Sequence, residues 1–253
     1  VNTSGAATDA ELATRLAVEA GRLLVDLRER MWQRGAASWQ VMDAGDQAAH
    51  RLIVDELAAA RPHDVVLSEE GADDRRRLSS DRVWIVDPLD GTNEYGEPGR
   101  VDWAVHIALW QQGELTAAAV SLPALDAVFA TDPAPVLPPV VRDRPRLVTS
   151  RFRAPYVAGV VARVLDCDAI RLGSAGAKTM AVVLGEADLY VHDGGMYQWD
   201  SAAPAAVARA AGLHVSRIDG SPMVYNAPDP WLPDFVVCRP ELADDVLDAI
   251  AGH

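Results

Sequence analysis

Val83-Trp-Ile-Val-Asp-Pro-Leu-Asp-Gly-Thr-Asn-Glu-Tyr95 decides how this chain reads. An apolar run stops at Asp87; Pro88 follows, then Asp90, Gly91 and Thr92. The pattern is a strand that delivers carboxylates into a turn. Asp87 and Asp90 are three residues apart across that turn, so the backbone can aim both at one ion, and Leu89 can add its carbonyl. Gly91 puts the least bulk where a phosphate must approach the chain. If a helix begins at Gly91-Thr92, its free amides can hold phosphate oxygens. Thr92 then has two readings, as the cap of that helix or as the holder of an attacking water.

Further acids stand at element ends: Glu69 with Glu70 beside it, Asp46 at a helix start, and Asp200 after Trp199. Two divalent ions among oxygen ligands are the usual solution for displacement at phosphorus. Without cations such a cluster would repel itself and raise its own pKa values. Taken singly, each acid has a plainer reading. Asp87 is a turn residue, Glu69-Glu70 a solvated loop, and Asp46 and Asp200 helix caps. Only their combination points to metal and phosphate.

The chain has 253 residues, enough for one large domain or two closely packed halves. It is 49% hydrophobic, which excludes global disorder. A formal net charge of -14 argues against a nucleic-acid polymer as partner, but not against a small anion brought in by cations. Lys178 is the single lysine among 23 basic residues, which fits a composition bias and still marks the position. Cys167 and Cys238 show no CxxC or zinc spacing, and a reduced compartment is the simpler reading. Val1-Asn-Thr-Ser-Gly5 carries no leader pattern, and no stretch has the length of a membrane span. A cytoplasmic protein with no membrane partner is expected.

Along the chain, Thr8 to about Glu29 has helical periodicity through Leu12, Leu16, Leu23 and Leu27, with a Thr8/Glu11 capping box. Residues 36–44 read as a hairpin or mobile loop, and Asp46 to Ala60 as a second helix. Strands are expected at 64–67, 82–86, around a turn at 111–113, and at 126–131, with residues 73–81 as a solvated charged loop. The proline-rich stretch 132–146 sets a boundary between an N-terminal subdomain, 1–139, and a C-terminal one, 140–253. The second part reads as strands at 146–150, 170–172, 187–191 and 235–238, with helices at 156–165, 177–184, 200–211 and 240–250. The class is α/β (α+β in some schemes), with mixed and largely antiparallel sheets.

The Asp-Pro-Leu-Asp-Gly-Thr string and the later Trp199-Asp-Ser-Ala-Ala203, in that order, resemble the two signatures of the lithium-sensitive, magnesium-dependent phosphatase superfamily. Its members include inositol monophosphatases, fructose-1,6-bisphosphatases and 3'-phosphoadenosine 5'-phosphate phosphatases. The resemblance runs from about Leu12 to Leu213 and implies a layered α-β-α-β-α fold, often homodimeric. It implies that Glu69, Asp87 and the Leu89 carbonyl hold one Mg2+, that Asp87, Asp90 and Asp200 hold another, and that Glu69 also reaches a third. Thr92 would position the water, Asp46 would polarise Thr92, and Glu70 would support the ligands. Gly91 and Thr92 would grip the phosphate, with Asn93, Gly173, Ser174, Asp193 and Asp200 towards the rest of the substrate. Two departures stand out. Ser38 to Asp46 lacks the lysine and Pro-Val-Thr of many relatives, and Asp193 to Gln198 lacks the arginine-bearing loop of the bacterial nucleotide branch.

Asn93-Glu94-Tyr95 shares a Glu-aromatic pair with that nucleotide branch, and Leu67-Ser-Glu-Glu70 resembles it too. The expected reaction is therefore hydrolysis of 3'-phosphoadenosine 5'-phosphate to AMP and phosphate, a step linked to sulfate assimilation. Inositol 1-phosphate is the alternative, with fructose bisphosphate behind it. A catalytically inactive scaffold is the rival of another class. Glu94 reads equally as a plain surface residue, Tyr197 equally as structural or as an adenine-stacking residue. His106 and His192 read as packing or surface residues, so a single displacement without a phosphoenzyme is expected.

Overall fold

The computed structural model describes residues 7–140 and 142–252; the Val1–Gly5 start lies outside them. Helix α1, Asp9–Gln33, begins with the expected box, since Thr8 Oγ1 accepts from the Glu11 N–H at 3.2 Å and Glu11 Oε2 from the Thr8 N–H at 2.8 Å. Its buried stripe runs Leu12, Leu16, Ala20, Leu24, so Leu24 replaces Leu23 and Leu27 on the inner face.

Helix α2 spans Ser38–Ala60, which corrects the reading of residues 36–44 as a hairpin or loop. Gln40 Oε1 accepts from the Ala37 N–H at 2.9 Å, and Ser38 Oγ donates to the Gly96 carbonyl at 2.6 Å. That distant contact fixes a start that local pattern does not announce. Asp46 therefore lies inside a helix and caps nothing.

A first sheet follows: β1 Val65–Ser68, β2 Arg82–Asp90, then after the short α3 Thr92–Tyr95, β3 Ala104–Gln111, β4 Glu114–Leu122 and β5 Ala127–Ala130. The strands lie in sequence order, with β1/β2 parallel and the rest antiparallel. Between β1 and β2 the supposed solvated loop forms a 3-10 turn, Arg75–Ser79, with Arg77 completely buried. The charged stretch is thus only partly solvated.

The second part contributes β6 Arg146–Ser150, α4 Tyr156–Val164, β7 Asp168–Leu172, α5 Ala175–Val183, β8 Leu189–His192, β9 Met196–Tyr197, α6 Gln198–Ala210, β10 His214–Ser216, β11 Trp231–Leu232, β12 Phe235–Cys238 and α7 Ala243–Ala251. Its five-stranded sheet has the order β10-β12-β8-β6-β7 and mixed direction. Helices α5 and α6 start two residues earlier than the pattern suggests, and β9, β10 and β11 are too short for it to show.

Helices α1 and α2 cover one face of the first sheet, α5 and α6 lie between the two sheets, and α4 and α7 cover the far face of the second. The α-β-α-β-α layering follows. Strand β2 shows why the sheet is buried on both sides. Trp84 and Val86 join the core under α1 and α2, while Val83 and Ile85 join the core under α5 and α6. No helix of the described residues is long and apolar enough to cross a membrane.

Gly45 of α2 sits beneath the strand end that carries the acids. A Cβ there would stand 2.5 Å from Tyr95 Cε1 and 3.0 Å from Leu89 Cδ2. Gly45→Ala is therefore expected to lower stability by about 1–3 kcal/mol by overpacking, although alanine favours helix. The midpoint of urea unfolding checks this; an unchanged or raised midpoint would contradict the tight packing.

Candidate active site

In regular pleating Asp87 and Asp90 would face opposite sides of β2, since side chains alternate along a strand. The register prevents this. Asp87 pairs with His106 and Asp90 with Ala104, so three steps on β2 oppose two on β3. This bulge turns both carboxylates to the face that also presents Val83, Ile85, Ala104 and Ala108, the face under α6. Pro88, which cannot donate to a ladder, sits inside the irregularity. Helix α6 then brings Asp200. Carboxylate oxygens of Asp87, Asp90 and Asp200 lie within 4.8 Å of one another.

Each acid is held differently. Asp87 is fully buried; Oδ1 accepts from the Leu89 N–H at 3.1 Å, while Oδ2 has no hydrogen-bond partner among the described residues. Burial, then Glu69, Asp90 and Asp200, push its pKa well above the ordinary value. Asp200 is the third residue of α6 and accepts from the Tyr197 N–H at 2.6 Å, so it closes a capping box from inside the helix instead of acting as the N-cap. Burial and Asp90 raise it to about 7. Burial also pushes Asp90 up, but His106 at 3.2 Å, the Gly176 N–H at 2.7 Å and Lys178 outweigh it and hold Asp90 below the ordinary value. Glu69 is exposed by area at the end of β1, yet its carboxyl group meets that of Asp87, and burial of that end raises its pKa.

Thr92 stands beside this group. Its hydroxyl lies 3.1 Å from the Leu89 carbonyl and 3.3 Å from Asp46 Oδ1, and its single proton can serve one of them at a time. Asp46 is raised to about 7 by burial, then by Glu70 and Glu69, against the opposing bond from Thr92. Glu70 itself is exposed. Gly91 has φ +86°, and a Cβ there would stand 2.9 Å from Ser174 Cβ. A side chain is excluded by space and by backbone conformation.

Of the residues read towards the substrate, Gly173 and Ser174 lie at the start of α5, bonded through their N–H groups to Asp102, and Ser174 Oγ caps that helix by accepting from the Ala177 N–H at 2.7 Å. Asn93 is exposed on α3. Asp193 accepts from the Val157 N–H at 3.2 Å and so is engaged at the start of α4. Tyr197 is exposed and stacks on Trp199 with ring centroids 4.7 Å apart.

Three neighbours, His106, Lys178 and Arg151, were not legible as site residues, and Glu94 was legible only as one of two equal readings. His106 is completely buried against Asp90, with Nδ1 3.2 Å from the Trp199 carbonyl; only the β2/β3 register reveals this. Lys178, marked by its rarity, is buried, and its Nζ donates to the Gly173 carbonyl. Burial lowers its pKa, opposed by Asp90, Glu94, Asp200 and Asp102. Glu94 is buried, not a surface residue, and packs so closely on Gly173 that no Cβ fits there. Arg151 Nη1 approaches Glu94 at 3.6 Å.

The donor set is oxygen-rich, and Asp87 Oδ2 is buried with no hydrogen-bond partner among the described residues. These residues fit a hard divalent cation. The model of the Inositol monophosphatase family matches residues 6–132 and 140–249. The chain belongs to this family. It is 48% identical over 256 residues to the 3'-phosphoadenosine 5'-phosphate phosphatase of Mycobacterium leprae, covering 96% of this chain and 93% of that one. It is 50% identical to the protein of the same name from Mycobacterium tuberculosis, covering 92% and 90%. The crystal structure of CysQ from Bacteroides thetaiotaomicron superposes with a TM-score of 0.76 at 27% identity, covering 91% and 97%. As in that family, this chain is a phosphatase built around an acidic cluster.

The raised carboxylates give the metal-free protein a defined pH response. Asp46 and Asp200, each raised to about 7, are neutral when folded at low pH and must ionise at a cost as pH rises. Their stabilising contribution is complete below the unfolded value of 3.8 and lost as pH climbs through about 7. Melting of the metal-free protein is expected to fall between about pH 5 and about pH 8, and added Mg2+ is expected to restore most of the loss at the higher pH. A flat profile, or no response to Mg2+, would contradict the arrangement.

Proposed function

We propose that this chain is a Mg2+-dependent phosphomonoesterase that hydrolyses 3'-phosphoadenosine 5'-phosphate to AMP and phosphate. One observation carries the reading: Asp87 and Asp90 from β2 and Asp200 from α6 converge to within 4.8 Å, as a shared cation requires. The substrate follows the mycobacterial relatives, whose identity of 48–50% extends over at least nine-tenths of both chains. The exposed Tyr197 ring, stacked on Trp199 just before Asp200, offers a flat face suited to a base.

In this reading Glu69, Asp87 and the Leu89 carbonyl would hold one Mg2+; Asp87, Asp90 and Asp200 would hold a second; Glu69 would also reach a third. Bound Mg2+ would neutralise the phosphate and lower the pKa of water. Thr92 orients the attacking water through its hydroxyl. Asp46 takes the Thr92 proton as the hydroxyl takes one from the water, and its pKa of about 7 lets it hold and release that proton near neutrality. Burial keeps Asp46 raised, and Glu70 adds to it. Gly91 lets the phosphate reach the backbone, and Asn93, Gly173, Ser174 and Asp193 border the remainder of the substrate. Residues 1–139 supply most ligands, and residues 140–253 supply Asp200 and the substrate border. The Cys167 and Cys238 thiols are free, burial pushing them up to about 11 and about 12, in keeping with a reducing cytoplasm. A homodimer and lithium sensitivity complete the reading, as the family resemblance implies.

Colorimetric phosphate release at millimolar Mg2+ tests the chemistry. Chelation should abolish it, and Asp90→Asn and Thr92→Ala should each lower kcat by about a hundredfold or more. Release by wild type no greater than by Asp90→Asn, on nucleotide and inositol substrates alike, would favour an inactive scaffold. For the substrate, kcat/KM on 3'-phosphoadenosine 5'-phosphate should exceed that on inositol 1-phosphate; the reverse order would overturn the nucleotide assignment.

A further inference from the structure

Arg77 is completely buried in a segment whose composition is that of a solvated loop. Its five guanidinium N–H groups match five acceptor contacts. Nε and Nη2 donate to Asp73 at 2.6 and 3.1 Å, and Nη2 also lies 3.3 Å from the Pro228 carbonyl. Nη1 donates to Asn226 Oδ1 and to the Ala227 carbonyl, both at 2.9 Å. The partners stand about 150 residues further along the chain, at separations of 149 to 151.

Asn226 returns the contact. Its Nδ2 donates to the Arg77 carbonyl at 2.9 Å, and its N–H donates to Gln198 Oε1 at 2.6 Å. Its φ of +56° lies in the left-handed region that asparagine tolerates better than most residues. Gln198 is buried at the first position of α6, its N–H donating to the Pro230 carbonyl at 2.8 Å and its Nε2 to the Asp229 carbonyl at 3.2 Å. Asp200 lies two residues on. At the other end, Asp73 lies four residues after Glu69. A chain of buried and half-buried hydrogen bonds therefore runs from Asp73, in the loop that follows Glu69, to Gln198 in the helix turn of Asp200.

A buried guanidinium opposite one partly exposed carboxylate is a weak source of net stability, because desolvation offsets the attraction. What a fully bonded guanidinium does supply is a fixed geometry. We propose that Arg77, acting through Asn226 and Gln198, is a positioning residue that holds the Glu69 loop and the Asp200 turn at the separation needed by two divalent cations that share Asp87. This inference rests on the cation reading of the site.

Asn226→Ala removes the middle of the chain while leaving every proposed ligand in place. Calorimetric titration with Mg2+ should show affinity about tenfold weaker than wild type, as when groups behind metal ligands are removed. The Mg2+ needed for half-maximal phosphate release should rise by the same factor, with kcat recovered at high Mg2+. Val246→Ala, in the core under α7, serves as a destabilised control that leaves Mg2+ affinity unchanged. Asn226→Asp, which keeps the acceptor for Arg77 but loses the donor to its carbonyl, provides a milder variant should the alanine form not fold; it too should bind Mg2+ more weakly. If wild type binds Mg2+ and the folded Asn226 variant binds it equally well, Arg77 and Asn226 only stabilise the fold and the inference is overturned alone. If wild type takes up no Mg2+, the cation reading falls and the inference with it.

Discussion

Repulsion between buried carboxylates is the constraint around which this molecule is organised. Oxygens of Asp87, Asp90 and Asp200 lie no more than 4.8 Å apart, and two ionised groups at that range oppose one another by roughly 3 kcal/mol even at an effective dielectric of about 20. Glu69 adds to the load on Asp87. The fold offsets part of it for Asp90, which faces His106, the Gly176 N–H of α5 and Lys178. Asp87 receives less help, the Leu89 N–H at Oδ1 and His106 only at 4.0 Å from Oδ2, which keeps no hydrogen-bond partner among the described residues. The strain is concentrated where a cation would relieve it.

Ordinary structural devices bring the acids together. A bulge around Pro88 turns Asp87 and Asp90 to one face of β2, and α6, packed on that face, delivers Asp200 from the far part of the chain. The Arg77 bonds join the segment between β1 and β2 to the first residue of α6 through Asn226. Gly45 and Gly91 allow the close approaches this requires, one beneath Leu89 and Tyr95 and one against Ser174. Precision in the site thus depends on contacts between segments far apart in sequence.

That division explains what the sequence discloses. Local pattern was enough for α1 with its capping box, for the β3/β4 hairpin and for the start of β2, though not for its continuation to Asp90, because periodicity and turn residues are local signals. The two signature strings named the acids and Thr92 but not their surroundings. The start of α2 depends on Ser38 reaching Gly96, His106 becomes a neighbour of Asp90 only through strand register, and Arg77 looks solvated until Asn226 arrives from the other end of the chain. Glu94, read equally as a specificity or a surface residue, is settled as buried only by its packing on Gly173. Each of these turns on pairing over long separations, which composition and spacing do not encode.

The account reduces to an ion held jointly by β2 and α6, and anomalous diffraction from crystals soaked in Mn2+ addresses it directly. It predicts density for manganese between the carboxylates of Asp87, Asp90 and Asp200. A map with no peak there, or with manganese bound only at surface acids, would contradict it.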